Sequence, residues 1–182
     1  MKKDFSEIKL FAMDVDGTLT DGKIYIGNDG EVMKAFNAKD GLGIKLLIKK
    51  GIVPIIITGR RSKIVTRRCE EIGITVLYQG VRDKADILKN VMAKYDCTPE
   101  QTVYIGDDMN DLSAMQRSSA FGVFLFLSCI LCHHLSNSRH CAAALLPYVD
   151  FVLTQKSGDA PVREAIDIIL ENRLTLSDYE SI

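Results

Sequence analysis

The sequence predicts an α/β protein in which helices cover both faces of a parallel β-sheet. Two observations support this: short apolar runs alternate with helical segments, and the first run ends abruptly in acids. At 182 residues and 47% hydrophobic composition, the chain can bury one substantial core, and no Pro- or Ser-rich linker divides it. We therefore predict a single domain over residues 1–182, with a three-layer, Rossmann-like architecture.

The helices and strands are predicted from the spacing of apolar residues and from the capping and turn residues that bound each segment. Strands are predicted at residues 8–13, 53–57, 74–78, 102–105, 121–127 and 151–153, and helices at residues 40–49, 62–72, 84–95 and 161–170. A β-hairpin at about residues 23–36 is expected from the turn Gly27-Asn28-Asp29-Gly30, whose residue types tolerate positive φ. A lone hairpin is marginally stable, so this one is expected to pack against another surface, such as a second subunit.

Composition excludes several classes of partner. The formal net charge is −1 and the pI is about 6.3, so there is no basic face for nucleic acid. The N-terminus is too acidic for a secretory signal, which favours a cytoplasmic protein with five reduced cysteines. The uncharged apolar stretch at residues 120–132 is shorter than the ~20 residues of a membrane span.

The motif Asp14-Val15-Asp16-Gly17-Thr18 directly follows the first predicted strand. Because Gly17 allows the chain to turn, both carboxylates can converge on one site. One carboxylate can attack phosphorus, and the other can protonate the leaving oxygen and later activate water. Paired acids with phosphate favour Mg²⁺, whereas an isolated Asp-x-Asp is more often a helix-capping loop.

Three further motifs follow later strands. Thr58-Gly59-Arg60 offers a hydroxyl and a backbone amide to a phosphoryl oxygen, and Lys84 can neutralise phosphate charge. Gly106-Asp107-Asp108-Met109-Asn110-Asp111 supplies further acids, and Met109 stands where a calcium-binding EF-hand loop needs an oxygen ligand. Each motif alone is weak, but four polar sites after four successive strands indicate a phosphoryl-transfer site.

Taken in order, these motifs resemble the four motifs of the haloacid dehalogenase superfamily of phosphatases. Within that superfamily the chain is similar to the small, capless phosphatases of 3-deoxy-D-manno-octulosonate 8-phosphate, which have the same hairpin after the first motif. The specific stretches are Asp21-Gly22-Lys23-Ile24-Tyr25, Lys34-Ala35-Phe36-Asn37-Ala38-Lys39-Asp40-Gly41 and Leu77-Tyr78-Gln79-Gly80.

The resemblance implies a role for each matching position. Asp14 is expected to be the nucleophile and a Mg²⁺ ligand, Asp16 the acid/base that also offers its backbone carbonyl to the metal, and Asp107 a further ligand. Thr58 and Lys84 are expected to hold the phosphoryl group. The sugar acid is expected to contact Asn37, Ala38, Lys39, Asp40, Gly41, Gly59, Arg60 and Arg68, and arginine suits a carboxylate because its contact is planar and bidentate.

The resemblance also implies the assembly and the pathway. The family is tetrameric, with hairpins joined in a central barrel and a C-terminal tail that reaches a neighbour's site, and it acts in lipopolysaccharide precursor synthesis. The Gly-rich tail motif is present only in part, at Ser157-Gly158-Asp159-Ala160-Pro161-Val162-Arg163-Glu164. The C-terminal tail of this chain is therefore expected either to cover a neighbouring active site as in the family or to do so in an altered way.

Residues 117–147 do not resemble the family's equivalent segment. They contain Cys129-Ile130-Leu131-Cys132-His133, which matches a haem c attachment pattern that a non-exported protein would not use. With Cys141, these residues also suggest a zinc site, although the second half of a normal ligand pair is missing. An insertion or a reading-frame error is the favoured interpretation.

Two other functions remain as alternatives. Related phosphatases of nine-carbon keto sugar acids can carry an acid where Arg60 stands, so Arg60 favours the eight-carbon substrate. A non-catalytic oligomeric scaffold would keep the fold without the chemistry, but the intact acids and Lys84 argue against it. A phosphotransferase is disfavoured because no cap excludes water.

Overall fold

The computed structural model describes residues 5–118, 121–125, 151–171 and 173–179, and it confirms the expected α/β architecture. The strands are β1 (Leu10–Met13), β2 (Tyr25–Gly27), β3 (Gly30–Met33), β4 (Val53–Thr58), β5 (Val76–Gln79), β6 (Thr102–Gly106), β7 (Phe121–Leu125) and β8 (Phe151–Leu153). The helices are α1 (Ala38–Lys49), α2 (Lys63–Ile72), α3 (Lys84–Lys94), α4 (Leu112–Met115) and α5 (Pro161–Ile169).

Six strands form the parallel sheet, in the order β5-β4-β1-β6-β7-β8. Strand β1 lies between β4 and β6, and Met13 stands opposite Ile56 on one side and Ile105 on the other. The carboxyl ends of these three strands therefore end at nearly the same level. Side chains that follow them meet at one edge of the sheet.

The core has two apolar clusters, one on each face of the sheet. In β1, Phe11 and Met13 join the cluster beneath α1, α2 and α5, whereas Leu10 and Ala12 join the cluster beneath α3 and α4. All four residues are fully buried. Burial on both faces explains why the strand is a continuous apolar run without alternation, and it confirms the three layers.

The predicted hairpin is present between β1 and α1. Strands β2 and β3 pair antiparallel, and Gly30 takes the left-handed conformation at φ +109° in the turn. The chain forms no larger cap between the first motif and α1. Both strands of the hairpin are largely exposed.

Capping residues explain most differences from the predicted boundaries. Helix α1 begins at Ala38 rather than residue 40, because Asn37 caps it by accepting a hydrogen bond from the backbone amide of Lys39 at 3.0 Å. Helix α2 begins one residue later than predicted because Ser62 is its N-cap. Strand β5 is shifted toward the carboxyl edge and ends at Gln79.

Most of the segment at 117–147 falls outside the described residues. Strand β7 confirms that a strand begins at Phe121, but Cys129, Cys132, His133 and Cys141 are not among the described residues. Among the residues that are described, no helix has the length and apolar character needed to cross a bilayer.

Candidate active site

The four predicted motifs meet at the carboxyl edge of the sheet. Asp14 follows β1, Thr58 ends β4, Asp107 follows β6, and Lys84 is the first residue of α3, which comes after β5. Asp14, Thr58 and Lys84 are all buried. Buried polar residues need specific partners, and those around Asp14 and Lys84 form a single network.

Asp14 lies at the centre of this network. Its Oδ2 is 3.0 Å from the Nζ of Lys84, and its backbone amide donates to the carbonyl of Ile105. Its Oδ1 is buried and has no hydrogen-bond partner among the described residues. Burial, followed by the negative charge of Asp111, raises the pKa of Asp14 to about 6.

Lys84 bridges Asp14 and Asp111. Its Nζ lies 2.6 Å from the Oδ1 of Asp111, closer than to Asp14. Burial disfavours the charged amine, but the charges of Asp111 and Asp14 outweigh it and raise the pKa of Lys84 above its ordinary value. The side chain is therefore a buried ammonium, a charge suited to a phosphoryl group.

Asp111, the last residue of the predicted acidic motif, has more contacts in the site than the motif alone indicates. Its Oδ1 accepts from Lys84 and from the buried hydroxyl of Tyr104 at 2.7 Å. Its Oδ2 accepts from the backbone amides of Asp107 and Asp108, both at 3.2 Å. These four donors occupy both oxygens, so Asp111 positions Lys84 and the loop that carries Asp107.

Asp107 faces Asp14 from the next strand. Its Oδ1 accepts a hydrogen bond from the hydroxyl of Thr18 at 2.8 Å. Burial is the main reason that the pKa of Asp107 rises to about 7, with a further contribution from the charge of Asp14. Gly17, at φ +95°, lies so close that a Cβ atom there would overlap the Asp107 carboxylate.

The acids fit a divalent cation. One carboxylate oxygen from each of Asp14, Asp107 and Asp111 lies within 4.8 Å of the others. Two observations favour Asp14 and Asp107 over Asp111 as ligands of such a cation: Asp14 has a buried oxygen without a partner among the described residues, and four donors already occupy the Asp111 carboxylate. A hard cation with oxygen ligands would offset both the burial and the mutual repulsion that raise the pKa values of Asp14 and Asp107.

The Asp16 carboxylate is not part of this cluster. One oxygen contacts the Nζ of Lys34, and the other lies 3.8 Å from the Nε of Arg60. The carboxylate is 17% exposed, so it borders the site opening instead of lying inside it. This placement suits an acid/base, and the predicted metal contact through its backbone carbonyl stays a prediction.

Several residues predicted to bind substrate line one small cavity. Asn37, Asp40, Gly41 and Arg68 form part of its lining, and the rest is mostly apolar side chains of the core, with the ring of Phe36 among them. The guanidinium of Arg68 lies 5.7 Å from the centre of that ring and 3.0 Å from a carboxylate oxygen of Glu71.

Asn37 and Asp40 also have structural contacts that the sequence analysis did not anticipate. The side-chain amide of Asn37 donates to the carbonyl of Gly158 at 3.1 Å, and Asp40 Oδ1 accepts from the backbone amide of Arg163 at 2.7 Å. Burial raises the pKa of Asp40 to about 6. These contacts join the N-terminus of α1 to that of α5, and direct contact of either residue with substrate stays a prediction.

The remaining predicted substrate residues lie elsewhere. Gly59 and Arg60 are exposed, and Arg60 lies near Asp16. Ala38 and Lys39 are exposed at the start of α1, and Lys39 lines a separate groove against α5. The predicted substrate set is thus divided into a cavity group, Gly59 with Arg60 near Asp16, and Ala38 with Lys39 at the start of α1.

The fold and site define a class of protein that the comparisons confirm. Residues 38–118 match the haloacid dehalogenase-like hydrolase family. The chain is 42% identical over 165 residues to the 3-deoxy-D-manno-octulosonate 8-phosphate phosphatase of Yersinia pestis, an alignment that covers 91% of this chain and 81% of that protein. The Escherichia coli K12 phosphatase of the same name is 39% identical over 163 residues, covering 90% and 79%.

Solved structures agree. The cobalt-bound phosphatase from Haemophilus influenzae matches with a TM-score of 0.83 and 31% identity, covering 97% of this chain and 99% of that one. The Moraxella catarrhalis phosphatase, solved with magnesium ion, phosphate ion and KDO, matches with a TM-score of 0.78 and 37% identity, covering 92% and 88%. The chain belongs to the 3-deoxy-D-manno-octulosonate 8-phosphate phosphatase family of haloacid dehalogenase-like hydrolases.

The approach of Gly17 to Asp107 generates a first prediction. In Gly17→Ala, the added Cβ displaces the Asp107 carboxylate, so divalent-metal affinity falls by about 10- to 100-fold. Isothermal titration calorimetry with MgCl₂ measures this affinity. Gly51→Ala is the matched control, because Gly51 also has positive φ but its Cβ would meet no heavy atom within 4 Å. Equal affinities in the two variants would contradict this account.

The raised pKa values predict proton release on metal binding. In the metal-free protein at pH 6, Asp14 and Asp107 hold part of their protons because their pKa values are raised to about 6 and about 7. Their contribution to stability is therefore present at low pH and lost as pH rises through these values, and a cation restores it. Titration at pH 6 in buffers of different ionisation enthalpy should detect released protons, whereas titration at pH 8.5 should not. The same number of released protons at pH 6 and at pH 8.5 would contradict the raised pKa values of Asp14 and Asp107.

Proposed function

We propose that this protein hydrolyses 3-deoxy-D-manno-octulosonate 8-phosphate to the free sugar acid and inorganic phosphate, with Asp14 as the nucleophile. One observation carries the proposal: a buried Asp14 oxygen has no partner among the described residues, while the other Asp14 oxygen is fixed by a buried ammonium. A nucleophilic oxygen needs a free lone pair, and a cation beside it, here the Lys84 ammonium, stabilises the negative charge of the phosphoryl group.

Two proton transfers complete the reaction. An Asp14 oxygen attacks phosphorus while the bond to the sugar oxygen breaks, and Asp16 gives its proton to that oxygen. Asp16 then takes a proton from water as the water oxygen attacks phosphorus, which releases phosphate and restores Asp14. The position of Asp16 at the site opening, beside Arg60, supports this role because the leaving sugar must lie there.

The phosphoryl group is held by residues at the carboxyl ends of the strands. Thr58 offers its hydroxyl and Gly59 its backbone amide, and Lys84 offsets the negative charge. Asp14 and Asp107, with the backbone carbonyl of Asp16, would hold Mg²⁺. When bound, the ion would neutralise part of the charge of the phosphoryl group.

The sugar acid is assigned to the two groups of residues that flank this edge. Arg60 stands beside Asp16, and Arg68 lines the cavity formed with Asn37, Asp40 and Gly41. An arginine can pair with the substrate carboxylate through two parallel hydrogen bonds. Ala38 and Lys39, which are exposed at the start of α1, complete the proposed set.

We also propose a homotetramer joined through the hairpin. Ile26 and Val32 on the hairpin are 71% and 62% exposed, and Met33 is 49% exposed. Apolar side chains concentrated on one small two-stranded sheet favour contact with another copy. A cytoplasmic location stays a prediction from the sequence.

Phosphate release from a substrate panel tests the function. With MgCl₂, kcat/KM should be highest for the eight-carbon acid phosphate, by at least about tenfold over nine-carbon acid phosphates and hexose phosphates. Asp14→Asn should lower the rate by more than about 10³-fold, because the amide is a poor nucleophile. The matched control is Asp21→Asn, an exposed acid on the same loop. Preferential turnover of a nine-carbon acid would overturn the substrate, and unchanged activity in Asp14→Asn would overturn the mechanism.

The oligomeric proposal has its own prediction. Ile26→Lys places a charge on the hairpin face and should convert the tetramer into smaller species in light scattering coupled to size exclusion. The control is Val152→Lys, because Val152 is an exposed apolar residue, at 42%, that lies on β8 and not on the hairpin. A monomeric wild type, or a tetramer in Ile26→Lys, would contradict the proposal.

A further inference from the structure

A buried lysine from the hairpin pairs with the acid/base. Lys34 directly follows β3, and its side chain is only 1% exposed although the hairpin around it is largely solvated. Its Nζ contacts Asp16 Oδ1 and lies 3.0 Å from Glu31 Oε1. The proposed mechanism assigns Lys34 no role, and a buried ammonium is costly unless it is paired.

The lysine is itself held in place. Glu31 receives a hydrogen bond from the hydroxyl of Ser62, the N-cap of α2. The backbone amide of Ser62 donates to Gln79 Oε1 at 2.7 Å, at the end of β5. Lys34 is therefore braced through Glu31 and Ser62 against the carboxyl edge of the sheet.

The contact with Lys34 matters because the buried cluster does not hold the Asp16 carboxylate. Asp16 precedes Gly17, and its carboxylate reaches out of the buried cluster, so the cluster does not orient it. Arg60 approaches its other oxygen at 3.8 Å, but the Arg60 side chain is 49% exposed. The contact from Lys34 is shorter and far less exposed, so it is the stronger restraint on the orientation of Asp16.

We propose that Lys34 is a positioning residue that aims the Asp16 carboxyl group at the leaving oxygen. Lys34 transfers no proton: the Asp16 proton moves to the leaving oxygen as the P–O bond to the sugar breaks and the bond to Asp14 forms. The hairpin thus contributes to the chemistry as well as to the proposed assembly. This inference rests on the proposed roles of Asp14 and Asp16.

The dependence of rate on the leaving group tests it. Positioning a general acid matters for an alkoxide, which must be protonated, and hardly at all for p-nitrophenolate, which departs unprotonated. With MgCl₂ and simple monoesters that lack a sugar acid, Lys34→Met should lower kcat/KM by about tenfold or more for alkyl phosphates. The same substitution should change kcat/KM for p-nitrophenyl phosphate by no more than about twofold. Lys23→Met is the control. Lys23 lies just before β2, its side chain is 69% exposed, and it pairs with Asp21.

Glu31→Gln supplies a second test that keeps Lys34 itself. Weakening the contact between Glu31 and Lys34 should lower kcat/KM for alkyl phosphates by a smaller factor and again spare p-nitrophenyl phosphate. This variant provides the test if Lys34→Met does not fold. Equal losses across all esters, or no loss, would overturn the inference. A wild type that releases no phosphate from any ester would instead overturn the proposed function.

Discussion

The ion pair between Lys84 and the two acids on either side of it is the constraint on which the site depends. Three carboxylates within 4.8 Å repel each other, and burial raises the pKa values of Asp14 and Asp107. Lys84 offsets part of that charge and fixes one Asp14 oxygen. The remaining negative charge makes the site suitable for a cation and an incoming phosphate.

The sheet makes this arrangement possible without a cap domain. Because Met13 stands level with Ile56 and Ile105, the residues after β1, β4 and β6 meet at one edge. The hairpin reaches the same edge through Lys34 and contacts Asp16. One small element therefore offers an apolar surface outward and an ammonium inward, so the proposed assembly and the proposed role of Lys34 involve neighbouring residues.

Sequence patterns predicted the parts of the site that depend on strand ends. Asp14, Thr58 and Asp107 each end or follow a buried apolar run, so their common edge followed from parallel topology. Asp111 belongs to the predicted acidic motif, but its contacts were not predicted, because they arise from a short 3₁₀ turn, Met109–Asp111, that folds its carboxylate back onto Lys84 and Tyr104. Lys34 was missed because only the folding of the hairpin over the sheet brings it to Asp16. Asn37 and Asp40 have contacts with the start of α5 that no local pattern indicates.

The most direct test of the account is rapid-quench trapping of the phosphoryl enzyme. Enzyme mixed with MgCl₂ and substrate labelled in the phosphate is stopped with acid within milliseconds, and the labelled peptide is sequenced by mass spectrometry. The account predicts label on Asp14, formed and lost at rates that match turnover. Label on another residue, or steady turnover with no labelled protein at any time, would contradict it.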